Sequence, residues 1–469
     1  EMSASLVGSE MCIRDRSRST SRRGEEYFMI EKYLVKKITE PVDWKVTVPG
    51  SKSMTNRALL MAVLSAGTVR VEGVLFSDDS RHFLACLVAL GFTVEIEEEK
   101  KCVTVTGCGG RIPRGEAVID VGSAGTAARF LAAMLGFSDG CYEIRCSAQM
   151  KRRPMAELFD LLSGAGAKIT FLEEEGHLPV RITGCRYARA DKTAGETPRE
   201  LSLDITKSTQ FLSALLLIAP MVPEGMKIHI TSEKTDGSYI RITRKMMQEF
   251  GVSVAFDGRD YEVPCRSSYR KETYMVEPDM SAACYFYAAA AVTGGRALVR
   301  HVHMDNTQGD LRFLEVLEHM GCTADDTPEG VLVTGPADGA LRGITVNMND
   351  FSDQALTLAA IAPFADAPVR IEGIGHIRGQ ECDRIHAIQT NLTALGIRCE
   401  EEETAATIYP GSPHGGSVET YDDHRVAMAF SLVGLRTDGI VIENPACCRK
   451  TFENYFTVLS ELTGKKTEA

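Results

Sequence analysis

The chain has 469 residues, 44% hydrophobic and 25% charged, the balance expected of a soluble globular protein, and it is too long for one hydrophobic core, so two domains are expected. No apolar run reaches the ~18 residues needed to cross a bilayer, which excludes a helical membrane protein and makes a cytoplasmic location the expectation. Lys and Arg total 52 against 64 Asp and Glu, a net charge of −12, without the basic stripe that nonspecific nucleic-acid binding requires.

Residues 1–28 are rich in Arg and Ser, lack hydrophobic periodicity and precede Met29. They read as a non-native or disordered extension outside the fold. Beyond them one unit recurs six times. Each unit starts with a helix apolar on all sides, and such helices are predicted to be buried. In order these read NRALLMAVLSAG, TAARFLAAMLG, TQFLSALLLIAP, AACYFYAAAAVTGG, QALTLAAIAPFA and HRVAMAFSLVGL. A short strand follows each, then an amphipathic helix with apolar residues at i, i+3 and i+4, then a second strand. The amphipathic helices end at Gly91, Gly166, Gly251, Gly321 and Gly396, with a weaker sixth in FENYFTVLSELTG. Glycine there supplies the left-handed residue just past a helix C-terminus. The fold class is α/β (α+β), three units to a domain. The 14 cysteines are scattered, with no C-x-x-C pair and no zinc spacing, so reduced thiols and no metal site are expected.

Every buried helix is preceded by a polar cluster: GSKSMTNR, GSAGTAAR, TKSTQ, PDMSAA, FSDQA and YDDHR. Ser, Thr and Asp are preferred helix caps, and capping accounts for PDMSAA. It does not account for Lys52, Arg57, Arg129 and Arg425, because a cation at a helix N-terminus opposes the dipole. Four such cations imply a bound anion at these helix starts. GSKSMTNR is not a nucleotide phosphate loop, because Ser51 precedes Lys52 and Lys45 fills the earlier glycine position; Lys52 and Ser53 still suit a phosphate. KRRP (151–154) reads as a solvated turn. GQECDR (379–384) has two readings: an exposed i, i+3 pair of Glu381 and Arg384, or a carboxyl group held near cations for proton transfer. In YDDHR, His424 is a candidate acid or base and Arg425 an anion clamp.

Taken in order, GSKSMTNR, SDDSRHF, SAGTAAR, RRP, KSTQF, SYIRIT, EPDMSAA, FSDQALT, QECDR, YDDHRVAMAF and RKTFENYF resemble the 5-enolpyruvylshikimate-3-phosphate synthase family of enolpyruvyl transferases. The resemblance runs from about Lys45 to Phe456. It implies two domains closing over a cleft, one spanning 51–274 and the other 275–469 together with 29–50. It implies transfer of the enolpyruvyl (1-carboxyvinyl) group of phosphoenolpyruvate to the 5-hydroxyl of shikimate 3-phosphate, with phosphate released through a tetrahedral intermediate. The implied enzyme is a monomer that uses no metal or organic cofactor.

The same resemblance implies residue roles. Lys52 and Glu381 manage protons at the enolpyruvyl carbon, Asp353 accepts the hydroxyl proton, and His424 supports them. Phosphoenolpyruvate falls to Lys52, Gly125, Thr126, Gln149, Arg384, Arg425 and Lys450. Shikimate 3-phosphate falls to Ser53, Arg57, Ser208, Thr209, Gln210, Tyr239, Asp353 and Gln380, with Ser208 and Thr209 donating to its phosphate. Three positions depart from the family pattern: Gln149 stands where Arg is common, Gln380 where Lys is common, and Ser123 where Asn is common. The two glutamines remove positive charge that a neutral amide does not replace. Two alternatives stay open: a UDP-N-acetylglucosamine enolpyruvyl transferase, for which Cys146 lies in the comparable loop at a longer offset to Arg153, and a noncatalytic anion-binding homologue.

Overall fold

In the computed structural model, which describes residues 31–185, 198–206, 208–337 and 340–464, the periodicities above become helices in chain order. They are α1 (Lys52–Leu64), α2 (Asp78–Ala89), α3 (Gly125–Gly136), α4 (Ala148–Lys151), α5 (Ala156–Gly164), α6 (Thr209–Ile218), α7 (Ser238–Glu249), α8 (Met280–Thr293), α9 (Phe313–His319), α10 (Ala355–Ile361), α11 (Arg384–Ala394), α12 (His424–Arg436) and α13 (Tyr455–Gly464). The N-terminal extension and Lys207 of KSTQF lie outside the described residues. The six apolar helices α1, α3, α6, α8, α10 and α12 are buried along nearly their whole length. Helices α2, α5, α7, α9, α11 and α13 bury one face and expose the other, as apolar stripes on amphipathic helices require.

Each of the first five units carries four strands rather than two. The strand after the buried helix is central, and the strand after the outer helix is one arm of a hairpin, as with Thr93–Glu97 and Cys102–Thr106. A further strand, such as Glu116–Asp120 ahead of α3, runs parallel to the central one. All five sheets share this order. The sixth has three strands among the described residues, with Lys32–Leu34 antiparallel to Ile440–Glu443. Sequence periodicity passed over the leading strands because they are short and half polar, as in Thr345–Asn347.

Two of the leading strands are exchanged. Asp43–Val46 precedes α1 but pairs with Arg296–Arg300 of the fourth unit. Thr273–Met275 precedes α8 but pairs with Thr68–Glu72 of the first. The two connections therefore cross, and they hydrogen-bond where they meet: Ser51 N donates to Glu277 O at 2.8 Å and Asp279 N to Pro49 O at 2.8 Å. Gly50 sits at this crossing, where a Cβ would lie 1.9 Å from the Gly73 carbonyl oxygen; only glycine fits. One hydrophobic core gathers residues from Met54 to Val276, and a second gathers Val35–Val48 with residues from Met280 to Leu459. The starts of α1, α3, α6, α10 and α12 converge on the cleft between them. Among the described residues no helix is long and apolar enough to cross a membrane, and every described cysteine is a free thiol.

Candidate active site

The cleft holds a cavity of about 200 Å³. Lys52, Ser53, Gly125, Thr126, Arg129, Ser208, Thr209, Gln210 and Tyr239 line it from one side. Asp353, Gln380, Glu381, Arg384, His424 and Arg425 line it from the other. The helix starts singled out in the sequence thus meet in one place. Arg57 lies a layer behind, while Gln149 and Lys450 touch at the edge, Lys450 Nζ donating to Gln149 Oε1 at 3.3 Å.

On the first-domain wall the cations find mostly neutral partners. Arg57 donates to the Thr243 hydroxyl at 2.8 Å and to the carbonyl oxygens of Ser53 and Tyr239 at 2.9 and 3.3 Å. Its guanidinium also faces the Phe130 ring at 5.2 Å. Burial pulls it down to about 10. Arg129 donates to the Gly125 carbonyl at 3.0 Å and stacks over Phe211 at 5.5 Å. Its Nε is buried without a partner, and burial, reinforced by Arg153, holds it well below its usual range. Lys52 Nζ lies 3.4 Å from Asp79 Oδ2. Ser208 caps α6, accepting from Gln210 N at 3.2 Å.

The second-domain wall is organised around Arg384, the first residue of α11, which is 1% exposed. Its Nε donates to Asp423 Oδ2 at 2.8 Å and its Nη2 to Glu381 Oε2 at 2.9 Å and Asp423 Oδ1 at 3.3 Å. Its Nη1 donates to Asp353 Oδ1 at 3.0 Å and to Gln380 Oε1. Glu381 and Arg384 are therefore a buried pair, and the exposed-pair reading of GQECDR falls. Asp353 also accepts from Arg425 Nη2 at 2.9 Å and from the Tyr239 hydroxyl at 2.6 Å. Burial alone would raise Asp353, but Arg425 and Arg384 outweigh it and keep the carboxylate below its ordinary value. Glu381 behaves likewise: burial opposes ionisation, yet Lys450 at 3.5 Å, Arg384 and Arg153 at 3.9 Å hold it well below the usual range. His424 is 1% exposed with both ring nitrogens unpartnered. Its 3.7 Å approach to Asp423 is too long for a hydrogen bond, and burial and Lys52 keep it neutral.

Besides Asp423, which pairs with Arg384, four contributors escaped the sequence reading. Arg153 belongs to KRRP, read as a solvated turn, but its side chain turns into the cleft beside Glu381. Gly125 makes room for it: a Cβ there would lie 2.2 Å from Arg153 Nη1 and 2.8 Å from Arg129 Nη1. Asp310, buried in the Gly309–Arg312 turn, accepts from Gln354 at 2.8 Å and from Ser281, and burial and Asp353 push it up to about 6. Lys234 and His376 also line the cavity. An Arg-Pro pair was the available signal for Arg153; isolated residues in unrelated loops offered none for the others. Cys146 does not line the cavity, and burial pushes its thiol up to about 11, unlike a reactive loop cysteine.

Six repeated units, split between two cores with five of their buried-helix starts facing one charged cleft, define an enolpyruvyl-transferase-type protein. The fold agrees with the enolpyruvyl transferase NikO from Streptomyces tendae (17% identity, TM-score 0.69, covering 92% of this chain and 97% of that one). It also agrees with an EPSP synthase from Acinetobacter baumannii (25% identity, TM-score 0.74, covering 92% and 98%). The model of the family EPSP synthase (3-phosphoshikimate 1-carboxyvinyltransferase) matches residues 36–459. Proteins named 3-phosphoshikimate 1-carboxyvinyltransferase are 41% identical in Trichormus variabilis (91% of this chain, 98% of that protein) and 39% in a Sulfurovum species (90% and 97%). The chain belongs to the EPSP synthase family.

Proposed function

We propose that the chain transfers the enolpyruvyl group of phosphoenolpyruvate to the 5-hydroxyl of shikimate 3-phosphate, releasing phosphate. The observation that carries this is a single cleft holding buried cations short of anionic partners beside two carboxylates kept ionised. Two phosphate-bearing substrates offset the first; the second suit proton transfer.

In the addition step the hydroxyl oxygen attacks C2 of phosphoenolpyruvate. Its proton passes to Asp353, and the methylene carbon takes a proton from the Lys52–Glu381 side. The resulting tetrahedral intermediate then loses a methyl proton and expels phosphate, restoring the double bond. Arg129, Arg153, Arg425 and Lys450 balance the donor's charge, and Gly125 and Thr126 flank it. Ser53, Ser208, Thr209, Gln210, Tyr239 and Gln380 hold the acceptor, and Arg57 behind them braces Ser53 and Tyr239 through their carbonyl oxygens. Glu381 is an anion in the unliganded site because of its cations. A substrate anion that shares those cations raises its proton affinity, so binding itself arms the acid.

Phosphate release measured with phosphoenolpyruvate and either shikimate 3-phosphate or UDP-N-acetylglucosamine tests the reading. Release with the shikimate ester alone is expected. Release with the nucleotide sugar, or with neither acceptor, sinks it.

A further inference from the structure

We propose that Lys234, in the segment between the Met226–Ile230 strand and α7, is a binding residue for the phosphate of the acceptor substrate. The proposal rests on the reading above, in which that phosphate docks at the start of α6.

The geometry brings the ammonium group to this spot. Lys234 lines the same cavity as Ser208 and Thr209. A Cβ built on Gly237 would lie 3.5 Å from Thr209 Cγ2 and 4.0 Å from Lys234 Nζ, so both side chains border one point left open by a glycine. Of the other described residues lining this end, Thr206, Ser208, Thr209, Gln210, Ser238, Tyr239 and Asn349 are neutral and Asp350 is acidic. Among them Lys234 is the one cation. On the same cavity wall His424 is buried with both ring nitrogens unpartnered, a polar group that a ligand can satisfy.

Lys234 is also able to move without orphaning a charge. Across the cleft it donates to Asn349 Oδ1 and lies 3.6 Å from Asp350 Oδ1. Asp350 keeps a second cation, Arg241, at 3.3 Å, and its carbonyl accepts from the Ser238 hydroxyl at 2.6 Å. Transfer of Lys234 to a phosphate therefore leaves Asp350 paired. Its side chain is one-third exposed, so little desolvation holds it in place. Arg241, which also pairs with Asp236 at 3.0 Å, stays on the Asp350 carboxylate when Lys234 leaves it.

The test compares binding of shikimate 3-phosphate with binding of unphosphorylated shikimate, together with the KM for each substrate. Lys234→Gln should weaken shikimate 3-phosphate about tenfold, leave shikimate binding unchanged and leave the KM for phosphoenolpyruvate within about twofold. Lys234→Arg should restore most of the loss. Asp350→Asn separates the pairing with Asp350 from the ligand role: it should keep the preference for the phosphorylated compound. The proposal is overturned if Lys234→Gln keeps that preference, weakens both compounds equally, or is reproduced by Asp350→Asn. If the unaltered protein prefers the ester and Lys234→Gln still does, only Lys234 is misassigned. If the unaltered protein binds no ester at all, the acceptor reading fails with it.

Discussion

Arg129 and Arg384 are both buried guanidinia on helices whose starts face the cleft, yet their surroundings are opposite. Arg129 has a carbonyl, an aromatic face and an unpartnered Nε, and among the described residues no carboxylate within ion-pair distance. Arg384 has every N–H committed, to Asp423, Glu381, Asp353 and Gln380. Their proton affinities separate accordingly: burial drives Arg129 well down, whereas Asp423 and Glu381 overcome the same penalty at Arg384 and raise it. The first-domain wall carries a desolvation cost that an anionic ligand relieves. The second neutralises itself and keeps its carboxylates ionised.

That contrast is most exposed at Glu381. Glu381→Gln should lower kcat by about 10²–10⁴ with little change in far-UV circular dichroism; an unchanged kcat would remove the second wall's catalytic role. Next in size, Arg384→Met should destabilise the protein by about 3–5 kcal/mol in chemical denaturation, because Asp423, 0% exposed, is left buried without its guanidinium. Asp310 sharpens the picture through pH. Its folded value of about 6 exceeds the ordinary 3.8, so the native state binds more protons in that window and loses stability as pH rises through it. Asp310→Asn keeps an acceptor for Ser281 and Gln354 and removes that charge. It should stabilise the protein by at most about 3 kcal/mol above pH 7 and hardly at all near pH 4; a pH-independent difference in denaturation midpoint would contradict this. Smallest is Arg129→Met, which should raise stability by about 1–2 kcal/mol while raising the KM for phosphoenolpyruvate. Arg129→Met and Arg384→Met then move stability in opposite directions. If both destabilise, the two walls are not different in kind.

The architecture was legible because burial writes itself into helical periodicity. Helices apolar on all sides, each followed by an amphipathic helix ending in glycine, gave six units and their order. The cations at Lys52, Arg129 and Arg425 were legible for an electrostatic reason, since each sits where the helix dipole disfavours it. Asp423 and Asp310 were not, because a carboxylate's role here depends on which guanidinium or amide arrives from a distant segment. Arg153 was misread because a charged turn beside proline looks the same whether it faces solvent or a cleft. Gln149 shows the limit from the other side: a neutral residue in place of a common cation, it bridges Lys450 and the Glu381 carbonyl, at 3.3 and 3.5 Å, a contact no local pattern encodes.

The exchanged strands have a consequence for how the chain acquires its shape during synthesis. Asp43–Val46 emerges early but has no sheet to join until Arg296–Arg300 is made, and Thr68–Glu72 keeps an open edge until Thr273–Met275 arrives. The first half is one consecutive stretch that closes only at its last strand, whereas the second joins Val35–Val48 to residues from Met280 onward and so needs both ends of the chain. An open edge invites mispairing with other chains, and such long-range closure slows folding. A fragment ending before Thr273 should for that reason aggregate more readily than one that carries its late partner strand.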